Sequence, residues 1–201
     1  MLKPHKHHRK DEEKQKKLKL GLAIFIAALM VLSILEIVLN KSDMEGQTAN
    51  YKGHTVSQSN LGYEIKTKDG QKIVFSNFPG IADSLNTSFE KFYGAVVTFN
   101  PNDDPNYMKF YETARFSIWR NLNLLKVPIG FAITENTTTN ESVYATLPVM
   151  DCNYQNLIVV YLTISNTTSV KQENNCIIVS GRDGNDLLLA KDALVYKYIF
   201  G

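Results

Sequence analysis

Apolar positions along this chain fall into three regimes. From Leu20 to Leu39 twenty residues carry a single charge, Glu36, and thirteen of them are Leu, Ile, Val or Phe. From Tyr51 onward apolar residues come in short runs and alternations punctuated by Asn, Asp, Gly and Pro, the pattern of strands and helices in a folded domain. Residues 1–19 and 40–50 are polar and lack periodicity. The expected organisation is a basic tail (1–19), a transmembrane anchor (20–39), a stalk (40–50) and one folded domain (51–201).

The long run matches a bilayer. Twenty helical residues span about 30 Å, the thickness of the hydrocarbon core. Thirteen large apolar side chains supply about −4 to −8 kcal/mol of insertion free energy, and Glu36, one turn from the end, reaches the interface at less than its mid-membrane cost. A cleavable signal peptide would have a shorter apolar core and a small-x-small site after it, and residues 35–41 offer none. An uncleaved, single-pass signal-anchor is therefore expected, with the lipid bilayer contacted through residues 20–39.

Charge then sets the orientation. The tail holds eight Lys/Arg against three acids, a net of +5; the whole chain is +2, which leaves −3 for residues 20–201. The positive-inside bias puts the N-terminus in the cytoplasm and the C-terminal domain outside it, at the cell membrane. The basic tail, with His5, His7 and His8, is read as a topology signal, and the mildly acidic remainder gives no reason to expect nucleic-acid binding.

Cys152 and Cys176, the only cysteines, both lie in the expected exported part, where a lone pair most simply forms one structural disulfide. Sequons at Asn40, Asn86, Asn136, Asn140 and Asn166 all follow the apolar run. Asn86, Asn136, Asn140 and Asn166 are glycosylation candidates on solvent-facing loops, while Asn40 lies too near the bilayer.

Within the domain the fold class reads as α/β, with α+β as the alternative: a mixed sheet, an N-terminal hairpin and two to three helices. Leu61–Lys68 and Gln71–Phe78 flank Asp69-Gly70, a type I′ hairpin signal. Pro79 breaks the second strand, and the spacing of Ile81, Ala82, Leu85, Phe89 and Phe92 predicts a short amphipathic helix. Ala95–Phe99 reads as a buried strand. Asp104-Pro105 is an N-cap followed by Pro at the first helical position, opening a helix whose stripe is Tyr107, Tyr111, Ala114, Ile118, Leu122 and Leu125. Pro128 ends it and Ile129–Thr134 follows as a strand, implying a parallel pair joined through the helix. Leu157–Ile164 and Cys176–Val179 are further strands, and Gly181–Asp186 turns into a final helix from Leu187 to about Tyr198, with Asn185 or Asp186 as its cap.

Chemistry-bearing residues are few. Ser180-Gly181-Arg182-Asp183-Gly184-Asn185-Asp186 has the place of an anion-binding loop but lacks GxGxxG and the P-loop Gly-Lys-Ser/Thr; its acids miss the EF-hand spacing. Asp103-Asp104 has the composition of a carboxylate pair, and equally of a helix cap. His54 is the sole histidine of the domain, and no nucleophile motif accompanies it. No catalytic residue, cofactor or metal site is assigned.

The stretch from Asn175 through Val179 and Leu189 through Tyr196, together with Cys152, resembles the end of small archaeal membrane-anchored proteins without assigned function. That resemblance implies an exported α/β domain with a Cys–Cys bridge on the S-layer side, and transfers no active site. The leading expectation is a binding or assembly module that contacts other envelope or membrane proteins. The competing one is an exported hydrolase or transferase built on Asp103, Asp104, Asp151 or Asp183, which requires three of these acids and His54 to meet in one cleft.

Overall fold

The computed structural model describes residues 48–137 and 143–201. The basic tail, the apolar run 20–39, most of the stalk, Asn40 and Asn140 lie outside the described residues. Among the described residues no helix is long and apolar enough to cross a membrane.

The domain is mixed α/β with two sheets and three helices. Four strands, β1 (Thr48–Tyr51), β2 (His54–Ser59), β3 (Gly62–Lys66) and β4 (Lys72–Phe75), form an antiparallel meander in sequence order. The first strand begins at Thr48, inside the stretch expected as stalk. Helix α1 (Pro79–Asp83) and the two-residue β5 (Thr87–Ser88) lead into β6 (Ala95–Phe99), α2 (Pro105–Leu124) and β7 (Ile129–Phe131). The chain closes with β8 (Ile158–Ile164), β9 (Ser169–Glu173), β10 (Cys176–Gly181) and α3 (Gly184–Phe200). The second sheet has the order β5-β9-β10-β8-β6-β7, with β6, β7, β8 and β10 parallel and β9 antiparallel to β10.

Several local expectations are met by the residues that motivated them. The Asp104 carboxylate accepts from Asn106 N–H at 2.9 Å, capping α2 with Pro105 in the first turn. The helix stops at Leu124, where Lys126 takes φ 62° and Val127 N–H and Lys126 N–H return to the carbonyls of Leu122 (3.1 Å) and Asn123 (2.9 Å). This is a Schellman end with Lys in the position usually given to Gly. Strands β6 and β7 are a parallel pair joined through α2.

Three expectations need correction. The β3–β4 hairpin exists, but its turn is not type I′: Gly70 N–H donates to Thr67 C=O at 3.0 Å, and Gly70 alone in the loop takes positive φ, 81°. That is a three-residue loop, Lys68-Asp69-Gly70, whose glycine supplies the left-handed residue. The helix foreseen over 81–92 ends at Asp83, because Thr87 and Ser88 pair with Val170 and Lys171 of β9. Phe92 is buried without being helical. The last helix starts at Gly184, not Leu187; its cap is Asp183, whose side chain accepts from Asp186 N–H at 2.9 Å, and not Asn185 or Asp186.

Packing follows the strand period. Val97 and Phe99 of β6, Val160 and Leu162 of β8, and Ile177 and Val179 of β10 share one core with Tyr111, Ala114, Ile118 and Leu122 of α2 and Leu187, Ala190 and Leu194 of α3. Val56, Ile65, Ile73 and Phe75 of the meander join the same core. Helix α3 lies between the two sheets, and residues 191–196 are buried without a break. Such a helix has no polar face to present to water, which explains its lack of amphipathic periodicity.

The alternate residues Val96, Thr98, Val159, Cys176 and Ser180 are buried on the sheet face turned away from α2 and α3. Cys176 is bonded to Cys152 with a Cα–Cα distance of 5.1 Å, so the expected disulfide is present and ties the segment before β8 to the first residue of β10. Asn86, Asn136 and Asn166 are all exposed, as sequon asparagines must be to accept a sugar.

Candidate functional site

The meander meets the helices through its β4 edge, and polar side chains line that seam. Asn121 of α2, almost wholly buried, accepts from Val74 N–H at 3.2 Å and donates to Val74 C=O at 2.8 Å, completing the strand edge as a neighbouring backbone would. Further along the same edge, Asp192 of α3 accepts from Ser76 N–H (3.2 Å), Asn77 N–H (2.8 Å) and Asn77 Nδ2 (3.0 Å). An unpaired sheet edge is a liability for aggregation, and here two helices satisfy it.

Lys191 precedes Asp192, and both are fully buried. The Lys191 ammonium donates to Asp192 Oδ1, to Ser76 Oγ at 3.1 Å and to Ser117 Oγ at 3.0 Å, using all three of its hydrogens. A lysine against two serine hydroxyls has the composition of a serine–lysine nucleophilic pair. The bonding opposes that chemistry: a general base needs a free lone pair beside the hydroxyl, whereas Lys191 Nζ is committed as a donor to both serines and to Asp192, which itself accepts from three further N–H groups. The pair is a fully satisfied buried ion pair that locks the meander to α3.

Above this seam lies a groove of about 260 Å³ lined by Leu61, Val74, Ser76, Thr113, Phe116, Ser117, Arg120 and Asn121. Leu61, Phe116 and Trp119 are 64%, 49% and 40% exposed, and Trp119 follows Phe116 by three residues on the outward side of α2. None of the described sequon asparagines lines the groove.

A second buried charge sits on α2. The Arg115 guanidinium lies 5.6, 5.0, 4.8 and 5.7 Å from the ring centres of Phe99, Phe116, Phe131 and Tyr144. Glu112 pairs with it at 2.7 Å. Arg115 Nη1 and Glu112 Oε1 have no hydrogen-bond partner among the described residues. A desolvated cation among aromatic faces contributes about 2 kcal/mol, here joining α2 to β7 and to the segment after it.

The carboxylates foreseen as an acid/base set are dispersed. Asp103 accepts from Tyr111 O–H at 2.7 Å, and Asp104 caps α2. Burial, then the Asp103 hydrogen bond, pushes the Tyr111 hydroxyl far above its usual range, so it stays a protonated donor. Asp151 accepts from Asn153 N–H and Nδ2 at 2.9 and 3.0 Å in its own turn, beside the disulfide. Asp183 caps α3. His54 packs at a tilt against Phe200, ring centres 4.6 Å apart, at the opposite end of α3, about 25 Å from Asp183 along the helix. The cleft of three acids and His54 that the hydrolase expectation needs is not formed.

The loop before α3 is likewise occupied by its own side chains. Asp186 accepts from Arg182 Nε (2.6 Å) and Thr168 Oγ1 (2.7 Å), which, with Asp183, places two carboxylates where an anion would have to sit. A Cβ on Gly181 would fall 2.1 Å from Leu187 N, so that glycine answers close packing at the start of the helix and not a phosphate. Among the described residues no cluster of His, Cys, Asp or Glu has the arrangement of a metal site.

These pairs carry a pH dependence. The Arg182 hydrogen bond holds the Asp186 carboxyl below its usual range, and Lys72 does the same for Glu64. For Asp83, burial acts upward but the Lys52 and Tyr51 hydrogen bonds outweigh it and the net shift is down. A carboxyl depressed on folding stabilises the native state above its unfolded value and ceases to do so as pH falls through its folded value. The thermal midpoint is therefore expected to be level from neutrality to about pH 5 and to fall below about pH 4, less steeply in Arg182→Gln. Melting curves across that range check it.

Sequence reasoning missed Lys191, Asp192, Asn121 and Arg115, since polar residues on helices read as solvated. The only signal was Lys191-Asp192 inside an otherwise apolar helical run. Compared with protein-family models, curated proteins and solved structures, the chain has no match.

Proposed function

We propose that the chain is a membrane-tethered extracytoplasmic binding or assembly domain that engages another envelope protein through the groove between α2 and the meander. The observation that carries this reading is the exposure of Leu61 and Phe116 in one groove over a hydrogen-bonded seam, with exposed Trp119 on the same helix as Phe116. Single exposed apolar residues are ordinary, whereas a group of them on a fixed framework marks an interaction surface. Trp and Arg, here Trp119 and Arg120, are the residue types on which interfaces concentrate their energy. The apolar run 20–39 and its basic flank support the tether, and the disulfide and the exposed sequons fit an oxidising, glycan-bearing compartment. The likeness of the C-terminal stretch to small archaeal membrane-anchored proteins belongs to the same proposal.

Gentle detergent extraction from the native membrane, followed by size determination and identification of co-purifying chains, tests it. The expected result is an assembly several times the 22.7 kDa protomer. A Leu61→Asp variant should run at protomer size with an essentially unchanged unfolding midpoint, since Leu61 is 64% exposed. A wild-type chain that runs alone would overturn the reading.

A further inference from the structure

Resting on that reading, the groove's own chemistry narrows the partner. The Lys191 ammonium is a donor only, so in its bonds to Ser76 and Ser117 the two hydroxyl oxygens act as acceptors. Each hydroxyl keeps its own proton, and neither donates to any described residue, although both residues line the groove. Arg120, exposed on the same wall, forms no ion pair among the described residues; Glu64, whose carboxyl feels its charge, is paired with Lys72 at 3.1 Å. Thr113 spends its hydroxyl on Lys109 C=O at 2.7 Å, and Asn121 spends its amide on Val74. No Asp or Glu lines the groove. The wall therefore offers two unspent O–H donors, one guanidinium outside any ion pair among the described residues and no carboxylate in its lining, beside the apolar Leu61 and Phe116.

We infer that the groove recognises an acidic side chain of a partner polypeptide, a Glu or Asp with an apolar neighbour. The carboxylate lies against Arg120 and the Ser76 and Ser117 hydroxyls, and the apolar neighbour lies between Leu61 and Phe116. Charge-assisted bonds of this kind give orientation as well as affinity.

Occupancy of the groove is read by isothermal titration calorimetry. The full-length protein in detergent micelles is titrated with the blocked peptide acetyl-Leu-Glu-Ile-Val-amide, with its Gln analogue, and with acetyl-Leu-Gln-Ile-Val bearing a free C-terminus. The Glu peptide should give a saturable change that weakens with salt. Binding should fall about tenfold for the blocked Gln analogue and by a similar factor for Arg120→Gln, an exposed position whose change leaves the core intact. Equal binding of the Glu and blocked Gln peptides, binding of the free-terminus peptide alone, indifference to Arg120→Gln, or no response to any peptide would each overturn the inference. If the native assembly is found and the peptides fail, the acidic-ligand inference falls and the binding reading stands.

Discussion

Asp192→Ala is expected to cost about 3–5 kcal/mol of folding free energy. The substitution removes the carboxylate that pairs with fully buried Lys191 and strips the acceptor from Ser76 N–H, Asn77 N–H and Asn77 Nδ2. An ammonium left without its counter-charge in a dry interior, rather than the lost bonds alone, sets the size of the effect. Domains of this size have about 5–15 kcal/mol in total, so the variant stands near the edge of folding. The double variant Lys191→Met/Asp192→Leu should lose less than Asp192→Ala alone, because an apolar pair leaves no orphaned charge. Urea unfolding of the three proteins, followed by Trp119 emission, measures both numbers. A double variant less stable than Asp192→Ala would mean that the pair stabilises the fold by more than its mutual compensation.

Loss of the Cys152–Cys176 bond comes next in size. The bond closes a loop of sequence separation 24. In the chain-entropy description, closing a loop of this length stabilises the folded state by about 3.5 kcal/mol through restriction of the unfolded chain. Cys176 lies on the sheet face away from α2 and α3, so reduction also releases the segment before β8 from that face while the helix-side core persists. The unfolding midpoint should fall on adding dithiothreitol and in Cys152→Ala/Cys176→Ala alike, and reductant should do nothing further to the double variant. A reductant effect that survives in the double variant would place its cause elsewhere in the chain.

How far the residues alone disclosed this molecule depended on whether the deciding interaction was local. Asp104-Pro105 specifies a helix start within three residues, and the cap forms as written. Ala95–Phe99 is buried on both faces and reads as a continuous apolar strand, as it must. By contrast, Ile81 to Phe92 has a helical period, yet two residues in its middle are drawn into pairing with β9, a partner more than eighty positions away. Strand β9 itself, Ser-Val-Lys-Gln-Glu, buries only Val170 and owes its conformation to β10 beside it. The seam was the least legible part. Asn121, Lys191 and Asp192 matter because β4 ends its hydrogen bonding at their side chains, a fact of topology that no window of sequence contains. The groove shares that origin, since Leu61 and Phe116 are brought together only when the meander docks.

An envelope partner requires the domain to lie outside the membrane that residues 20–39 are proposed to span. Tyr93 is 97% exposed, which makes Tyr93→Cys a harmless position for a thiol label. Labelling that variant with a membrane-impermeant maleimide in intact cells, beside a Lys10→Cys control in the basic tail, is the most direct test. The expected result is label on position 93 in intact cells and on position 10 only after permeabilisation. Label on position 10 and not on 93 in intact cells, or on 93 only after permeabilisation, would contradict the proposed topology and the envelope partner with it.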